Sequence, residues 1–392
     1  MISTARLRGG ARATGHTGGR ISTLYGGYNG EIPPLALPIP TVDTPVDTRL
    51  RSKPTGRYGG GAVASDTSPP GLDLTRAEPY LAQAGLTGPL TASVISGGRS
   101  NLTYVVTDGT KQVVLRRPPL GHVLPSAHDM AREYRVITAL AQVGFPVPES
   151  LLLCPDADVI GAPFYVMEYV DGIVVRGANI GPEAASQCGE KLIDLLVRLH
   201  GVDHSEVGLA DFGRPEGYLE RQVRRWHQQW ERSKTRELPL LEQVTERLAK
   251  ELPDSPRAGI VHGDYRLDNV MFSHDLSAIL AVMDWEMATI GDPLADVGLL
   301  VVYTDLAQLS LLPPVPRGFP TGAELAARYA AATGIDVARL NWYVAFGNYK
   351  LAVISEGIHA RYLQGKTVGA GFETFGPAVP QLIERAAATL GE

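Results

Sequence analysis

Few cysteines and no long hydrophobic run occur in this sequence, and both absences narrow the protein classes to which it can belong. Only Cys154 and Cys188 are present in 392 residues, which excludes a disulfide framework, and neither has the His or Cys neighbours of a metal site. Apolar runs such as 279–283 and 299–303 are far shorter than the roughly 20 residues that cross a bilayer. We therefore expect a cytoplasmic protein that binds no membrane.

Neither sign of charge is in strong excess. The formal net charge is −6 at pH 7, and 44% of the residues are hydrophobic and 20% charged, as in ordinary globular proteins. A chain without a basic excess has no overall attraction to nucleic acid, so a small molecule is the expected partner. Binding of nucleic acid by the arginines of the amino-terminal tail is the remaining alternative, and the oligomeric state is left open.

The composition changes sharply along the chain. Residues 1–71 are rich in Gly, Pro, Thr, Ser and Arg and sustain no hydrophobic period, which predicts a disordered tail. A transit peptide has a similar content of arginine, but the glycines and prolines oppose its amphipathic helix. Because the remainder is longer than one typical core, we predict an N-lobe over residues 72–170 and a C-lobe over residues 171–392.

The pattern of the N-lobe predicts a short helix followed by antiparallel strands. The helix starts at 73–78 and stops at Gly85, and Asp108-Gly109 is a strong hairpin signal between two strands. Strands are predicted over 92–95, 102–107, 112–117 and 164–169, and a second helix over 128–141. In the C-lobe, helices are predicted over 183–200, 217–232, 240–252, 323–332 and 340–364. The fold class is therefore α+β, with a small antiparallel sheet and a larger helical lobe.

One segment of the C-lobe carries side chains suited to phosphoryl transfer. Such transfer from ATP needs an acceptor for the proton of the substrate hydroxyl, and hard oxygen ligands that hold Mg²⁺ against the phosphates. Asp264 and Asn269 are five positions apart, the spacing of the base and the metal-binding Asn in protein-kinase catalytic loops. The apolar stretches 270–272 and 278–283 flank a Ser/His/Asp turn, so a hairpin would return Asp284 to face Asn269. The sequence thus predicts an ATP- and Mg²⁺-dependent phosphotransferase.

These residues also carry a family resemblance. His262-Gly263-Asp264, the trailing Asn269 and Asp284 one hairpin later resemble the signature of the aminoglycoside phosphotransferase and choline-kinase-like family. The sequence looks closest to bacterial phosphotransferases that resemble the amino-terminal kinase domain of long acyl-CoA dehydrogenases. The resemblance implies the bilobal protein-kinase-like fold, and it extends from about residue 92 to the C-terminus. Its other supporting segments are 126–129, 132–134, 161–164 and 291–293.

The resemblance implies a role for each polar residue of this segment. Asp264 would be the catalytic base, and Asn269 and Asp284 the Mg²⁺ ligands. Arg266, two residues past the base, either lies near the transferring phosphate or faces solvent. Structural roles are expected for His262, Asp292 and Asp296.

A glycine-containing loop between the first two strands is suited to phosphate binding, because backbone N–H groups can approach phosphate oxygens where no Cβ intervenes. Its candidate residues are Gly97, Gly98, Ser100 and Asn101. One hairpin later, residues 113–116 align with the kinase Val-Ala-Ile-Lys strand, with Arg116 in place of the Lys that grips the α- and β-phosphates. Alternation along the strand points Val114 and Arg116 together toward the nucleotide.

Other nucleotide-side residues follow from the kinase scheme. The scheme pairs the strand cation with an acid on the following helix, and Glu133 is the candidate. Arg117 is the alternative to Arg116. Glu168 and Val170 belong to the predicted hinge, where backbone groups would bind adenine. A solvated strand end and an ordinary helix surface charge stay open as interpretations of Arg116 and Glu133.

The acceptor is less well defined by the sequence. An enzyme for polycationic aminoglycosides should concentrate carboxylates in its helical lobe, yet residues 301–392 hold seven acids against seven Lys or Arg, and residues 211–257 nine against ten. The basic segment 221–236, with Trp226 and Trp230, suits an anionic acceptor such as a hydroxyacyl-CoA, or is the solvated face of an amphipathic helix. A kinase for a small hydroxyl compound is expected. An aminoglycoside phosphotransferase and a nucleotide-binding pseudokinase are the alternatives.

Overall fold

The computed structural model describes residues 68–95, 101–120, 129–175, 180–306, 314–367 and 371–391. Residues 1–67 of the predicted tail therefore lie outside the described residues. So do Gly97, Gly98 and Ser100 of the predicted phosphate loop. Asn101, the last residue of that loop, is described and buried.

The N-lobe is a five-stranded antiparallel sheet with one helix packed against it. Helix α1 (Leu74–Gln83) begins after Asp73, whose carboxylate accepts the N–H of Arg76 at 3.1 Å and so caps the helix. The strand order in the sheet is β1-β2-β3-β5-β4. The strands are β1 (Thr91–Val94), β2 (Leu102–Thr107), β3 (Gln112–Arg117), β4 (Ser150–Cys154) and β5 (Phe164–Glu168).

Alternation along β3 distributes its side chains between the two faces of the sheet. Val113 and Leu115 are fully buried in an apolar cluster that includes Ala77 and Leu81 of α1. Arg116 projects from the other face and reaches a carboxylate of the C-lobe. The strand pattern correctly predicted which side chains turn toward the second lobe.

Helix α2 (Met130–Gln142) links the two lobes through its packing. Its first turn is capped by Asp129, which accepts the N–H of Arg132 at 3.0 Å. Ile137 and Leu140 of this helix belong to the same buried apolar cluster as the C-lobe helices. Glu133 is also buried and lies on this helix within reach of the sheet.

The C-lobe is mainly helical, as the sequence pattern predicted. Two small antiparallel sheets precede and follow its polar loops, with the orders β6-β8-β9 and β10-β7. Their strands are β6 (Ile173–Val174), β7 (Gly259–Val261), β8 (Val270–Phe272), β9 (Ile279–Val282) and β10 (Thr289–Gly291). The helices are α3 (Pro182–Gly201), α4 (Tyr218–Ser233), α5 (Pro239–Lys250), α6 (Leu294–Asp305), α7 (Gly322–Thr333), α8 (Leu340–Leu363) and α9 (Phe375–Gly391).

The sequence pattern predicted no range for two of these helices, although Asp292-Pro293 indicated the start of α6. In α6 nearly every side chain is buried, including Val297, Leu299 and Val301, so its sequence shows no polar face and no 3.6-residue period. Helix α9 contains Pro380, which weakens any helical pattern. The predicted α+β class, with a small antiparallel sheet and a larger helical lobe, is confirmed. Among the described residues no helix combines the length and the apolar character needed to cross a membrane.

Candidate active site

A hairpin brings the polar residues of the C-lobe together. Strands β8 and β9 pair antiparallel, with Val270 opposite Val282. Just beyond this pair, the N–H of Met283 donates to the backbone oxygen of Asn269 at 2.8 Å. Asp284 follows directly, so the predicted hairpin is found and it places Asp284 beside Asn269.

Asp264 and Asn269 are joined through their side chains. The amide nitrogen of Asn269 donates to Oδ2 of Asp264 and to the backbone oxygen of Asp264, each at 2.8 Å. The amide nitrogen is thereby committed to Asp264, which leaves the amide oxygen of Asn269 as the atom available to a cation. This is the geometry that a metal-binding amide beside a base requires.

The other oxygen of Asp264 has a partner that the sequence did not suggest. Tyr303, in α6, donates its hydroxyl hydrogen to Oδ1 of Asp264. The guanidinium of Arg266 lies 5.1 Å from the centroid of the Tyr303 ring, and its Nη1 is 3.1 Å from Oδ2 of Asp268. Arg266 Nε is 3.7 Å from Oδ2 of Asp264. Arg266 therefore lies beside Asp264 and does not project freely into solvent.

His262 connects the two polar segments. Its Nδ1 accepts the backbone N–H of Asp264 at 3.1 Å, so Nε2 carries the hydrogen and donates to the backbone oxygen of Met283 at 3.0 Å. The ring is fully buried and lies 4.5 Å from the indole of Trp285. His262 therefore links the loop that carries Asp264 to the segment that precedes Asp284, in agreement with the structural role expected for it.

Asp296 binds the backbone at the start of the same loop. Its two oxygens accept the N–H groups of His262 at 2.7 Å and Gly263 at 2.8 Å, and Nε2 of His200 is 3.3 Å away. Burial alone would raise the pKa of Asp296, but the hydrogen bond and charge of His200 lower it below the usual range. Asp296 thus acts as a buried anion that fixes the backbone before Asp264.

Gly263 is required by this backbone geometry. Its φ of +84° lies in the left-handed region, and a Cβ there would come within 2.9 Å of Met287. Its carbonyl oxygen accepts a hydrogen bond from Nζ of Lys350, in α8, at 2.5 Å. Burial lowers the pKa of Lys350. Asp296 therefore binds the N–H of Gly263, and Lys350 binds its carbonyl oxygen.

The nucleotide side of the cleft centres on Arg116. Its Nε is 3.0 Å from Oε1 of Glu133 and donates to Oε2 at 3.1 Å, as predicted for this pair, and its Nη2 donates to Oδ1 of Asp284 at 2.5 Å. Burial opposes the charged forms and raises the pKa of Glu133, yet the neighbouring acids keep the pKa of Arg116 above its usual value. We take the pair as ionised because a guanidinium is not deprotonated in proteins. Arg116 is thus a partly buried strand cation between the two lobes.

Arg117, considered as an alternative to Arg116, lies elsewhere. Its Nη1 donates to the backbone oxygens of Gly71 at 2.5 Å and Ile160 at 2.8 Å. These partners lie just before the predicted N-lobe and in one of its loops, and alternation along β3 turns Arg117 away from the cleft. The structure therefore favours Arg116 over Arg117.

Four further described residues were predicted on the nucleotide side of the cleft. Val114 is buried on the strand beside Arg116. Asn101 donates from Nδ2 to Oε2 of Glu286 at 3.0 Å, which links the end of the predicted phosphate loop to the segment after Asp284. Glu168 ends β5 and accepts the N–H of Glu149 at 3.2 Å. Val170 lies in the connection between β5 and β6.

Asp284 adopts an unusual backbone conformation. Its φ of +67° and ψ of +60° are left-handed, which is uncommon for a residue other than glycine. Its side chain is 33% exposed and open to the cleft despite the contact with Arg116. Such strain is often found at functional sites. With Asn269 it supplies hard oxygen atoms, the donor set that Mg²⁺ prefers, so the described residues fit a magnesium ion bound with ATP.

The geometry is that of a phosphotransferase, and the comparisons agree. The model of the phosphotransferase enzyme family matches residues 91–343, which is more than half of the chain. The chain belongs to this family.

The curated relatives of this phosphotransferase are longer proteins, of which the chain matches one part. The chain is 37% identical over 317 residues to acyl-CoA dehydrogenase family member 10 of Mus musculus, covering 76% of this chain and 29% of that protein. It is 37% identical over 312 residues to acyl-CoA dehydrogenase family member 11 of Gallus gallus, covering 76% of this chain and 40% of that protein. The chain thus spans less than half the length of these relatives.

Solved structures confirm the predicted kinase-like fold. A protein of Ralstonia eutropha JMP134, provisionally named an aminoglycoside phosphotransferase, superposes with a TM-score of 0.70 at 30% identity, over 81% of this chain and 98% of that chain. Spectinomycin phosphotransferase, solved with ADP and spectinomycin, gives a TM-score of 0.53 at 15% identity, over 80% and 97% of the two chains, which shows the fold alone. The resemblance inferred from the catalytic-loop motif is therefore confirmed.

A small cavity of about 30 Å³, partly open to solvent, adjoins the site of this phosphotransferase. Its wall is mostly apolar, and its polar members include Arg266, Asp268 and Tyr303. The apolar lining residues are Val175, Leu192, Leu267, Leu300, Pro314, Val315 and Phe319. Because Asp268 is paired with Arg266, the wall has no group of unpaired carboxylates among these lining residues.

The basic helix singled out in the sequence is amphipathic in the structure. Helix α4 buries Leu219, Val223 and Trp230, as an amphipathic helix does. Trp226 is partly buried, and its ring centroid lies 5.5 Å from Nζ of Lys350. The helix therefore packs its aromatic face inward and leaves its arginines toward solvent.

Proposed function

We propose that this protein transfers the γ-phosphoryl group of ATP, with Mg²⁺, to a hydroxyl group of a small molecule. The observation that carries the proposal is the convergence of Asp264, Asn269 and Asp284 in one cleft, with Arg116 reaching it from the other lobe. Each of the three carries an oxygen, and Arg116 carries the cation that phosphates need. Membership of the phosphotransferase enzyme family supports the same reaction class.

Asp264 is the group proposed to accept the proton. The acceptor oxygen forms a bond to the γ-phosphorus, the bond from that phosphorus to the β,γ-bridging oxygen breaks, and the hydroxyl proton passes to Asp264. Asn269 orients Asp264 through its side-chain hydrogen bond, and its own oxygen would be a ligand of the metal. Asp284 is the second proposed ligand. Mg²⁺, when bound, neutralises charge on the phosphates.

Arg116 and Glu133 form the proposed nucleotide clamp. In the kinase scheme the strand cation contacts the α- and β-phosphates while a helix acid holds it. Arg116 is held by Glu133 in this way, and its guanidinium can grip two phosphate oxygens at once. Asn101 and Val114 border the same region, while Glu168 and Val170 lie where the chain passes between the lobes.

A hydroxyacyl-CoA is the acceptor class that we favour. The small cavity lined by Arg266, Tyr303 and Phe319 has a mainly apolar wall, which suits apolar groups better than a polycation. The curated relatives are named as acyl-CoA dehydrogenases, which supports an acceptor with an acyl-CoA group. An aminoglycoside site should concentrate carboxylates, and residues 211–257 and 301–392 of the C-lobe hold no acidic excess.

An aminoglycoside is the second candidate acceptor. It is favoured by the fold shared with phosphotransferases whose solved complexes contain hygromycin B and spectinomycin. Those structures are 15% identical to this chain, so they show the fold and not the substrate.

The proposal is tested by a screen for phosphorylated product. Purified protein is incubated with MgATP and with three acceptor groups: hydroxyacyl-CoAs, amino sugars and choline-like alcohols. Products are identified by mass spectrometry, and Asp264→Asn serves as the control. We expect a phosphorylated hydroxyacyl-CoA with the wild type and none with the variant. Binding of MgATP without any product from any acceptor would instead support a nucleotide-binding pseudokinase.

A further inference from the structure

Tyr303 presents to Asp264 the chemical group that an acceptor would present. Its hydroxyl donates to Oδ1 of Asp264, while Asn269 donates to Oδ2. A substrate hydroxyl that is to lose its proton to Asp264 must make the same kind of hydrogen bond. This inference rests on the proposed role of Asp264 as base, and it concerns what occupies that base before the acceptor arrives.

The tyrosine is well suited to remain a hydrogen-bond donor. Burial, followed by the charge of Asp264, raises the pKa of Tyr303 well above its usual value, so the phenol keeps its proton at all ordinary pH values. Its helix, α6, is buried in the C-lobe, and the guanidinium of Arg266 lies over its ring. The packing of α6 and the contact of Arg266 with the ring therefore both hold Tyr303 against Asp264.

Tyr303 also lines the small cavity beside the site. Its side chain belongs to the mainly apolar wall and at the same time contacts Asp264. An acceptor that gives its proton to Asp264 would have to bring its own hydroxyl to Oδ1, the atom that Tyr303 already contacts. Entry of an acceptor hydroxyl and retention of the tyrosine contact therefore compete for one oxygen.

We propose that the hydroxyl of Tyr303 occupies the acceptor position on Asp264 in the empty enzyme and thereby prevents water from acting as the acceptor. An acceptor bound beside Asp264 takes the place of Tyr303 on Oδ1. Water in that position would form the new bond to the γ-phosphorus and give its proton to Asp264. The bond from that phosphorus to the β,γ-bridging oxygen would break, leaving ADP and phosphate. Tyr303 thus selects for a bound acceptor and against solvent.

The test is the rate of acceptor-free ATP hydrolysis in the full chain with MgATP. The wild type is compared with Tyr303→Phe, which removes only the hydroxyl. Tyr349→Phe is the matched control, because the Tyr349 hydroxyl contacts Thr245 between α5 and α8 and is not among the partners of Asp264. We expect hydrolysis by Tyr303→Phe to rise roughly tenfold, the factor that corresponds to a lost hydrogen bond to a charged group, with Tyr349→Phe unchanged. Thermal unfolding of both variants verifies that each is folded.

The outcomes separate this inference from the proposed function. If the wild type transfers phosphate to an acceptor but hydrolysis by folded Tyr303→Phe does not rise, the role of Tyr303 is wrong and the proposed function stands. A fall of both hydrolysis and transfer in Tyr303→Phe would also overturn it, because the hydroxyl would then be positioning Asp264. Phosphate found on Tyr303 by intact-mass analysis would overturn it too, since the tyrosine would itself be an acceptor. If the rise in Tyr303→Phe persists when Asp264→Asn is added, Asp264 is not the base and the proposed function fails.

Discussion

Replacing Asp296 by Asn should destabilise the protein by about 2–4 kcal/mol although it changes one atom. The carboxylate is fully buried and accepts two backbone N–H groups, one on each oxygen. An amide can accept with one oxygen only, so one buried donor is left unsatisfied at about 1–3 kcal/mol. The other hydrogen bond loses its ionic character, which adds about 1 kcal/mol. Typical domains are stable by about 5–15 kcal/mol, so we expect a folded variant.

The measurement is urea unfolding of the wild type, Asp296→Asn and Asp194→Asn. Asp194→Asn is the control, because it makes the same chemical change at an exposed site. There Arg328 donates to both carboxylate oxygens at 2.7 Å. A surface pair of this kind contributes at most about 1 kcal/mol. Equal unfolding midpoints for the two variants, with unchanged slopes, would refute the reasoning. Phosphoryl transfer by Asp296→Asn should also fall, because His262 and Gly263 lose their support.

The pH dependence of the same variant gives an independent check. The folded pKa of Asp296 is lowered, so its contribution to stability is fully present above the unfolded pKa of about 3.9 and is lost as pH falls through the folded pKa. The wild type should therefore lose stability faster than Asp296→Asn below about pH 4. A stability difference that stays constant down to pH 3 would contradict the buried-anion role.

Three further variants test other parts of the site. Gly263→Ala should lower the free energy of unfolding by more than about 2 kcal/mol and abolish most activity, because a positive φ and a steric clash combine. Its control is Gly334→Ala, where φ is +70° and no neighbour lies within 4 Å, so the same urea assay should show a loss of about 1 kcal/mol. Arg116→Met should destabilise by about 3–5 kcal/mol, because Glu133 would be left buried and unpaired, and Arg116→Lys by clearly less. Asp284→Asn should change stability by no more than about 1 kcal/mol, since Asn tolerates the left-handed conformation, while Mg²⁺-dependent transfer should fall at least about a hundredfold.

Local patterns in the sequence predicted much of the fold. The Asp108-Gly109 turn and the alternating residues of β2 and β3 fixed the N-lobe hairpin, and those strand bounds match the structure. The five-residue spacing of Asp264 and Asn269, with the following hairpin, predicted their meeting with Asp284. These features depend on neighbours close in sequence, which is why pattern and turn chemistry were sufficient.

What could not be predicted depends on distant contacts. Tyr303 lies in an apolar stretch that gave no helical period, and only packing of α6 under the loop brings its hydroxyl to Asp264. Lys350 is one cation on a long helix, and its bond to Gly263 spans 87 positions in the chain. Glu286 follows Asp284 by two positions, a signal that could have been noticed, but its contact with Asn101 crosses between the lobes.

The central claim is that Asp264, Asn269 and Asp284 form a phosphoryl-transfer site. It is tested most directly by comparing Asp264→Asn with the wild type in two assays on the same preparation: MgATP binding by calorimetry and transfer to the acceptor found in the screen. A positioned base contributes about a hundredfold to ten-thousandfold to the rate. We therefore predict that transfer falls by that factor while the affinity for MgATP changes little. Transfer by folded Asp264→Asn at the wild-type rate would contradict the account.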